Sequence, residues 1–275
     1  MTRLLSLTLS ILACTWPAIV AAQPTDECDH EAERNAVVNA RGAARLEIIA
    51  GAGRLTVEGK EGLSEVRIIG RACASAEELL DGIQLSADRR ADNVRIEALM
   101  PETGGWGNEY ALLHLIIEAP AGLAAEIEDT SGAMELRGLG PLTVDDGSGE
   151  IIAQDITGMV RIRDGSGSID LDRVTGDVDI DDGSGSIHVA GVTGDVEIHD
   201  GSGELQLRDI DGSVELTDGS GSIVIREVTG DVTVRADGSG SIRVADVEGD
   251  FIVENDGSGD VSYTNVGGTI RTAAR

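Results

Sequence analysis

From about residue 126 onward the chain alternates apolar and polar positions in short runs, and glycine-rich turns separate the runs. Asp164–Asp172 (DGSGSIDLD) and Arg173–Asp181 (RVTGDVDID) show the unit: a turn, then a short strand of period two. Strand side chains change face at every residue, so Ile169 and Leu171 face inward from the first run, Val174 from the corner, and Val178 and Ile180 from the second. One unit later the same places hold Ile187, Val189, Val192, Val196 and Ile198. Then come Leu205, Leu207, Ile210, Val214 and Leu216, followed by Ile223, Ile225, Val228, Val232 and Val234. Every inward position is aliphatic. One such coil cannot bury its face, whereas parallel coils stacked about 4.8 Å apart join these positions into one core between two sheets. A helix is excluded by the period and by Gly-Ser-Gly in every unit.

Asp-Gly-Ser-Gly begins at Asp146, Asp164, Asp182, Asp200, Asp218, Asp237 and Asp256, with a degenerate Asp-Thr-Ser-Gly at Asp129. The spacing holds at 17 to 19 residues throughout. The expected fold is therefore all-β: a two-sheet parallel β-solenoid of about 18-residue coils over residues 126–275. Residues 23–125 lack the repeat but still alternate, as in 44–49, 54–58, 65–69, 93–98 and 112–118, and Ser75–Asp81 suits one or two helical turns. This stretch is expected to be a β-rich N-terminal cap domain, because an uncovered solenoid end exposes strand edges. Phe251, Tyr263 and Gly267-Gly268 break the pattern at the other end.

The N-terminus changes the compartment. Arg3, a mostly apolar stretch from Leu4 to Val20 and the short side chains of Val20-Ala21-Ala22 predict a signal peptide over residues 1–22. Cys14 faintly resembles a lipoprotein site, but the apolar stretch runs past it. No later apolar run of about 18 residues occurs, so no transmembrane segment is expected after cleavage. The protein is expected in the periplasm, at the cell surface or secreted. Cleavage removes Arg3 and no acid, so the net charge of −29 becomes −30. Such a surface repels nucleic acid and anionic membrane; it either draws divalent cations, basic proteins or cationic peptides or serves only to keep an exported protein soluble. Two cysteines remain, Cys28 and Cys73, and an oxidising compartment predicts one disulfide between them.

The residues resemble the bacterial putative-adhesin family, a domain of unknown function with β-solenoid repeats. Leu46–Leu55 (LEIIAGAGRL), Ile116–Leu123 (IIEAPAGL) and the coils built as Asp-Gly-Ser-Gly-Ser-Ile followed by Val-Thr-Gly-Asp-Val carry the resemblance across nearly all of the mature chain. It implies the solenoid architecture and an envelope location. It brings no catalytic residues.

Candidate chemistry is sparse. Asp146, Asp164, Asp182, Asp200, Asp218, Asp237 and Asp256 would stack as a carboxylate ladder, each pair repelling by roughly 0.9 kcal/mol even in water. Amide hydrogen bonds within each turn, bound Ca²⁺ or ordinary counterions could relieve it, and turn-making is the first reading. The calcium β-roll motif Gly-Gly-x-Gly-x-Asp is not met; its nearest Asp, at Asp177, Asp195 and Asp231, is Ser213 in one coil and Met159 in another. The outward Asp170, His188, Gln206, Val224 and Arg243 all differ, which excludes a lattice-binding template. His30, His114, His188 and His199 are scattered and no nucleophile motif occurs, so no enzyme is expected. Pro101–Tyr110 (PETGGWGNEY) carries Trp106 and Tyr110, candidates for stacking on a sugar or anchoring a partner, or for closing the solenoid end. The expected function is a non-enzymatic, adhesin-like interaction with an envelope or surface protein or polysaccharide. The alternatives are a calcium-binding solenoid and an envelope-stress protein capturing cationic peptides.

Overall fold

The computed structural model describes residues 28–103 and 109–273. Residues 1–22, read above as a signal peptide, Cys14 among them, and Trp106 lie outside the described residues. The first part comprises β1 (His30–Glu33), β2 (Ala36–Asn39), β3 (Arg45–Ala52), β4 (Leu55–Lys60), β5 (Glu65–Ala74), α1 (Glu77–Gly82), β6 (Gln84–Arg90), β7 (Asn93–Leu99) and β8 (Ala111–Pro120). The repeat follows as β9 (Ala124–Ser131), β10 (Met134–Arg137), β11 (Leu142–Asp146), β12 (Gly149–Thr157), β13 (Val160–Asp164), β14 (Gly167–Thr175), β15 (Val178–Asp182) and β16 (Gly185–Val192). It ends with β17 (Val196–Asp200), β18 (Gly203–Ile210), β19 (Val214–Asp218), β20 (Gly221–Val228), β21 (Val232–Asp237), β22 (Gly240–Val247), β23 (Phe251–Val253), β24 (Val261–Val266) and β25 (Ile270–Arg271).

From β9 on, strands alternate between two sheets and each pairs in parallel with its counterpart one coil away. Val178 opposes Val196 and Ile180 opposes Ile198 in one sheet; Ile169 opposes Ile187 and Leu171 opposes Val189 in the other. All the inward aliphatic positions read from the sequence are buried, and they form one continuous cluster with the apolar residues of 38–123. This is a two-sheet parallel β-solenoid.

Both sheets run on into residues 28–120. There β3 pairs in parallel with β9 and β7, and β4 pairs in parallel with β10 and β8. The β3–β4 coil thus lies between the β7–β8 coil and the β9–β10 coil, so the chain steps over one coil on passing from β8 to β9. At the outer end β5 and β6 turn antiparallel against β8 and β7, and β1 and β2 pair with β5. The helix α1 seats Leu80 in the core, and Cys28 is bonded to Cys73 with Cα atoms 5.4 Å apart.

The corner of each coil has its own cause. Inward spacing changes from two to three residues between Ala153 and Ile156, and the extra residue takes the left-handed conformation. Asp155, Arg173, Asp209, Glu227 and Asp246 all sit there with φ between 57° and 60°, and Gly191 fills the place in one coil.

Candidate functional site

The alternation that buries Val178 and Ile180 continues one step further, to Asp182. The repeated aspartates are therefore inward-facing: Asp129, Asp146, Asp164, Asp182, Asp200, Asp218 and Asp237 are 2 to 7% exposed. Backbone pairing sets them in register, Asp146 with Asp164, Asp164 with Asp182, Asp182 with Asp200 and Asp200 with Asp218. In five of the turns one carboxylate oxygen accepts the amide two residues on: Ser148 to Asp146 at 3.3 Å, Ser166 to Asp164 at 3.1 Å, Ser184 to Asp182 at 3.2 Å, Ser202 to Asp200 at 3.0 Å and Ser220 to Asp218 at 3.0 Å. This is the turn chemistry expected of Asp before Gly-Ser. The second oxygen, Oδ2, of Asp129, Asp146, Asp164, Asp182, Asp200 and Asp218 is buried and accepts no hydrogen bond.

Burial pushes these acids above the ordinary Asp range, and neighbouring carboxylates add to it at Asp129, Asp146, Asp182, Asp218 and Asp237. Asp129 rises to about 7 through burial and then Asp146. Asp182 and Asp218 rise to about 6, burial first in both cases. Asp146, Asp164, Asp200 and Asp237 are raised as well, again by burial first. The amides of the turns oppose the shift without cancelling it. Among the described residues no three His, Cys, Asp or Glu side chains gather to hold a metal ion. The column is a file of single carboxyl groups in place of a cage.

A second column occupies the opposite turn. Asp177 Oδ1 accepts the amide of Asp195 at 3.0 Å, and Asp195 Oδ1 accepts that of Ser213 at 2.8 Å. Ser213 Oγ then accepts Asp231 N–H at 3.2 Å, Asp231 Oδ1 accepts Asp250 N–H at 2.7 Å, and Asp250 Oδ1 accepts Thr269 N–H at 2.6 Å. Each link joins one coil to the next, so the Thr-Gly-Asp turns clamp the stack. The repeated Thr-Gly-Asp spelling was the available signal, and Ser213 keeps the link because its hydroxyl also accepts.

The other sequence candidates are dispersed. Tyr110 Oη donates to Asp29 Oδ2 at 3.2 Å and accepts the Asp29 amide at 3.0 Å, while its own amide donates to Ser75 Oγ at 3.0 Å. It thereby fastens the segment beside Cys28, and Trp106, its proposed companion, lies outside the described residues. His188 is on the outer face of one sheet and His199 on the other, paired in register with Gln206 and Thr217 respectively. His114 Nδ1 accepts the amide of Arg54 at 3.0 Å. Over His188, Gln206, Arg208 and Arg226 runs a shallow groove of about 670 Å³.

The outer face of the sheet over residues 28–120 differs from that of the later coils. Val37, Ile69 and Ile116 are 65%, 56% and 39% exposed, Ile69 lies directly across from Ile116, and Val37 lies across from Arg67. Arg71 stands two residues beyond Ile69 on the same strand face. Between residues 142 and 253 the one large apolar side chain so exposed is Met159, among the described residues.

No family model matches this chain, and no curated protein matches it. Solved structures match it over most of their length. A putative cell adhesion protein from Clostridium sporogenes is 14% identical, covering 89% of this chain and 100% of its own, with a TM-score of 0.32. A putative lipid binding protein from Parabacteroides distasonis is 12% identical over 88% and 97% of the two chains, TM-score 0.44. A putative adhesin from Bacteroides fragilis is 12% identical over 89% and 98%, TM-score 0.38. Among the described residues no helix is long and apolar enough to cross a membrane.

Proposed function

We propose that this chain is an exported, non-enzymatic interaction protein of the cell envelope, adhesin-like in that a rigid rod carries a specific binding end. The observation that carries the reading is the exposed Ile69–Ile116 pair with Val37, beside Arg67 and Arg71, whereas between residues 142 and 253 the one large apolar side chain so exposed among the described residues is Met159. Exposed aliphatics gathered beside arginine are what a docking patch needs, while single apolar residues scattered over a surface need no explanation. The rod suits a spacer, because stacked coils hold both ends at a fixed distance. The N-terminal stretch, read as a signal peptide, supports export, and the scattered histidines support a role without catalysis.

The test uses labelled mature protein, residues 23–275, and envelope fractions of the source cell, comparing wild type with Ile69→Glu/Ile116→Glu. Saturable binding by wild type, reduced at least tenfold in a variant of unchanged melting temperature, is the expected result. Equal binding by the two would remove the cap face from the reading, and turnover of envelope polysaccharide or peptide would remove its non-enzymatic part.

A further inference from the structure

The inward Asp column poses a problem that the proposed role leaves untouched. Seven carboxyl groups, from Asp129 to Asp237, are stacked inside the rod. In six of the seven turns the amide of a serine or threonine reaches one oxygen while the second is buried with no donor, and at Asp237 both oxygens are buried without one. A column of ionised carboxylates contains acceptors alone, since an ionised Asp has no proton to give. A buried charge needs a partner or must neutralise. The surroundings supply no partner. The first inward residue after each turn, Ile151, Ile169, Ile187, Leu205 and Ile223, is aliphatic and buried, and the strand that bears each Asp adds further aliphatics.

The charged groups acting on the column are its own members together with Asp145 and Asp256. Asp129 feels Asp146; Asp146 feels Asp164 and Asp145; Asp182 feels Asp164 and Asp200; Asp218 feels Asp200 and Asp237; Asp237 feels Asp256. The residues just before the ladder positions, Asp145, Arg163, Asp181 and His199, are exposed on the outer face of the same strands. No lysine, arginine or histidine acts on these five acids.

We propose that this column is a proton-operated lock: its carboxyls are neutral in the folded rod in mildly acidic surroundings, and their ionisation as the pH rises loosens the stack of coils. A neutral carboxyl removes the repulsion between neighbours and adds an O–H donor to a column that has none. The sign follows from linkage. The folded-state values of Asp182 and Asp218, about 6, and of Asp129, about 7, stand above the ordinary unfolded Asp value of about 3.9. The stabilisation is complete below about pH 4 and is lost as the pH climbs through about 6 to 7. An envelope rod of this kind is firm in acid and yields toward alkaline pH, the reverse of a protein whose acids are salt-bridged.

Thermal unfolding of residues 23–275 between pH 5 and pH 8, at fixed ionic strength and with EGTA, tests this. Wild type is expected to lose about 5 to 10 °C over that range. Asp182→Asn/Asp200→Asn/Asp218→Asn keeps an acceptor for each serine amide and brings its own donor, so it should melt higher than wild type at pH 8 and show less than half the pH dependence. Glu150→Gln/Asp170→Asn/Asp181→Asn removes the same number of charges from the exposed face. If that surface variant flattens the profile as much as the column variant does, general repulsion explains the effect and the lock is wrong. A rise at pH 8 with CaCl₂ in place of EGTA, unmatched by MgCl₂, would also overturn it, because a cation and not a proton would then neutralise the column. Should the column variant fail to fold, infrared spectroscopy of the wild type decides. At pH 6 the folded protein should show the C=O stretch of protonated carboxyl groups, and the urea-unfolded protein at the same pH should not; a folded spectrum without it refutes the proposal.

Discussion

Asp182 accepts the amide of Ser184 at 3.2 Å, and that one bond joins the end of a core strand to the turn that starts the next. Asp182→Ala leaves the Ser184 amide under the turn without its acceptor. At pH 5, where charge burial weighs least, the loss should be about 1 kcal/mol, the ordinary worth of a hydrogen bond of this kind. Urea unfolding at that pH measures it. An unchanged midpoint would mean that the turn holds itself.

The opposite turn makes a sharper prediction, because its bonds cross from coil to coil. Asp195 stands between Asp177 and Ser213, taking from one side what it gives to the other. Asp195→Ala should destabilise the chain by about 1 to 2 kcal/mol, since a hydrogen bond to a charged acceptor is lost. Asp195→Ser should recover a good part of that, because Ser213 already fills the same place in the next coil with its hydroxyl. Denaturation midpoints of the two variants give the comparison, and equal losses would show that the clamp contributes nothing.

The core columns were legible in the sequence because aliphatic alternation has one simple cause: each buried place must be filled in every coil. The same rule, carried one residue past Ile180, would have placed Asp182 inside, but aspartate before Gly-Ser reads as a surface turn. Hydropathy alone cannot show that its carboxylate is folded under the turn. The order of the first coils was also hidden, since nothing local tells that Leu46 and Ile48 pair with Ala125 and Ile127 on one side and with Val94 and Ile96 on the other. Asp155, Arg173, Asp209 and Glu227 show the opposite failing. Their left-handed backbone is normally the place of glycine, and only Gly191 signals it.

That corner gives a stabilising prediction. Glu227 has φ 58°, a conformation that strains a residue bearing a Cβ by about 1 to 2 kcal/mol. Glu227→Gly removes the strain and returns about 0.5 to 1 kcal/mol through the more flexible unfolded chain. A net gain of about 0.5 kcal/mol is expected, read as a raised melting temperature, with Gly191→Glu shifting it the other way.

The turn glycines separate steric from conformational effects. Gly203 has φ 156° and a Cβ there would stand 1.4 Å from the carbonyl oxygen of Gly185, one coil away. Gly62 has φ 77° and nothing within 4 Å of the same position. Gly62→Ala should cost only the left-handed strain, about 1 kcal/mol. Gly203→Ala must push two coils apart along both sheets, and a loss above about 3 kcal/mol is expected. Chemical denaturation compares the two; similar losses would mean that the coils can part locally without strain spreading.

The Cys28–Cys73 bond should matter to one end of the rod more than to the other. It closes a loop across 45 residues, for which chain entropy gives a stabilisation of about 4 kcal/mol. That loop contains β1 to β5, and its Cys28 end is also held by the Tyr110–Asp29 contact. Reduction frees β1 from β5 and leaves a strand edge open at the cap. Coils far from the cap keep their own neighbours, and in stacked repeats stability is a sum of such neighbour terms. Hydrogen exchange in the presence of dithiothreitol should therefore speed up by at least tenfold in β1, β2 and β5, while β15 to β19 change little. Uniform acceleration along the chain would show that the rod unfolds as one unit, and that the bond at the cap holds every coil.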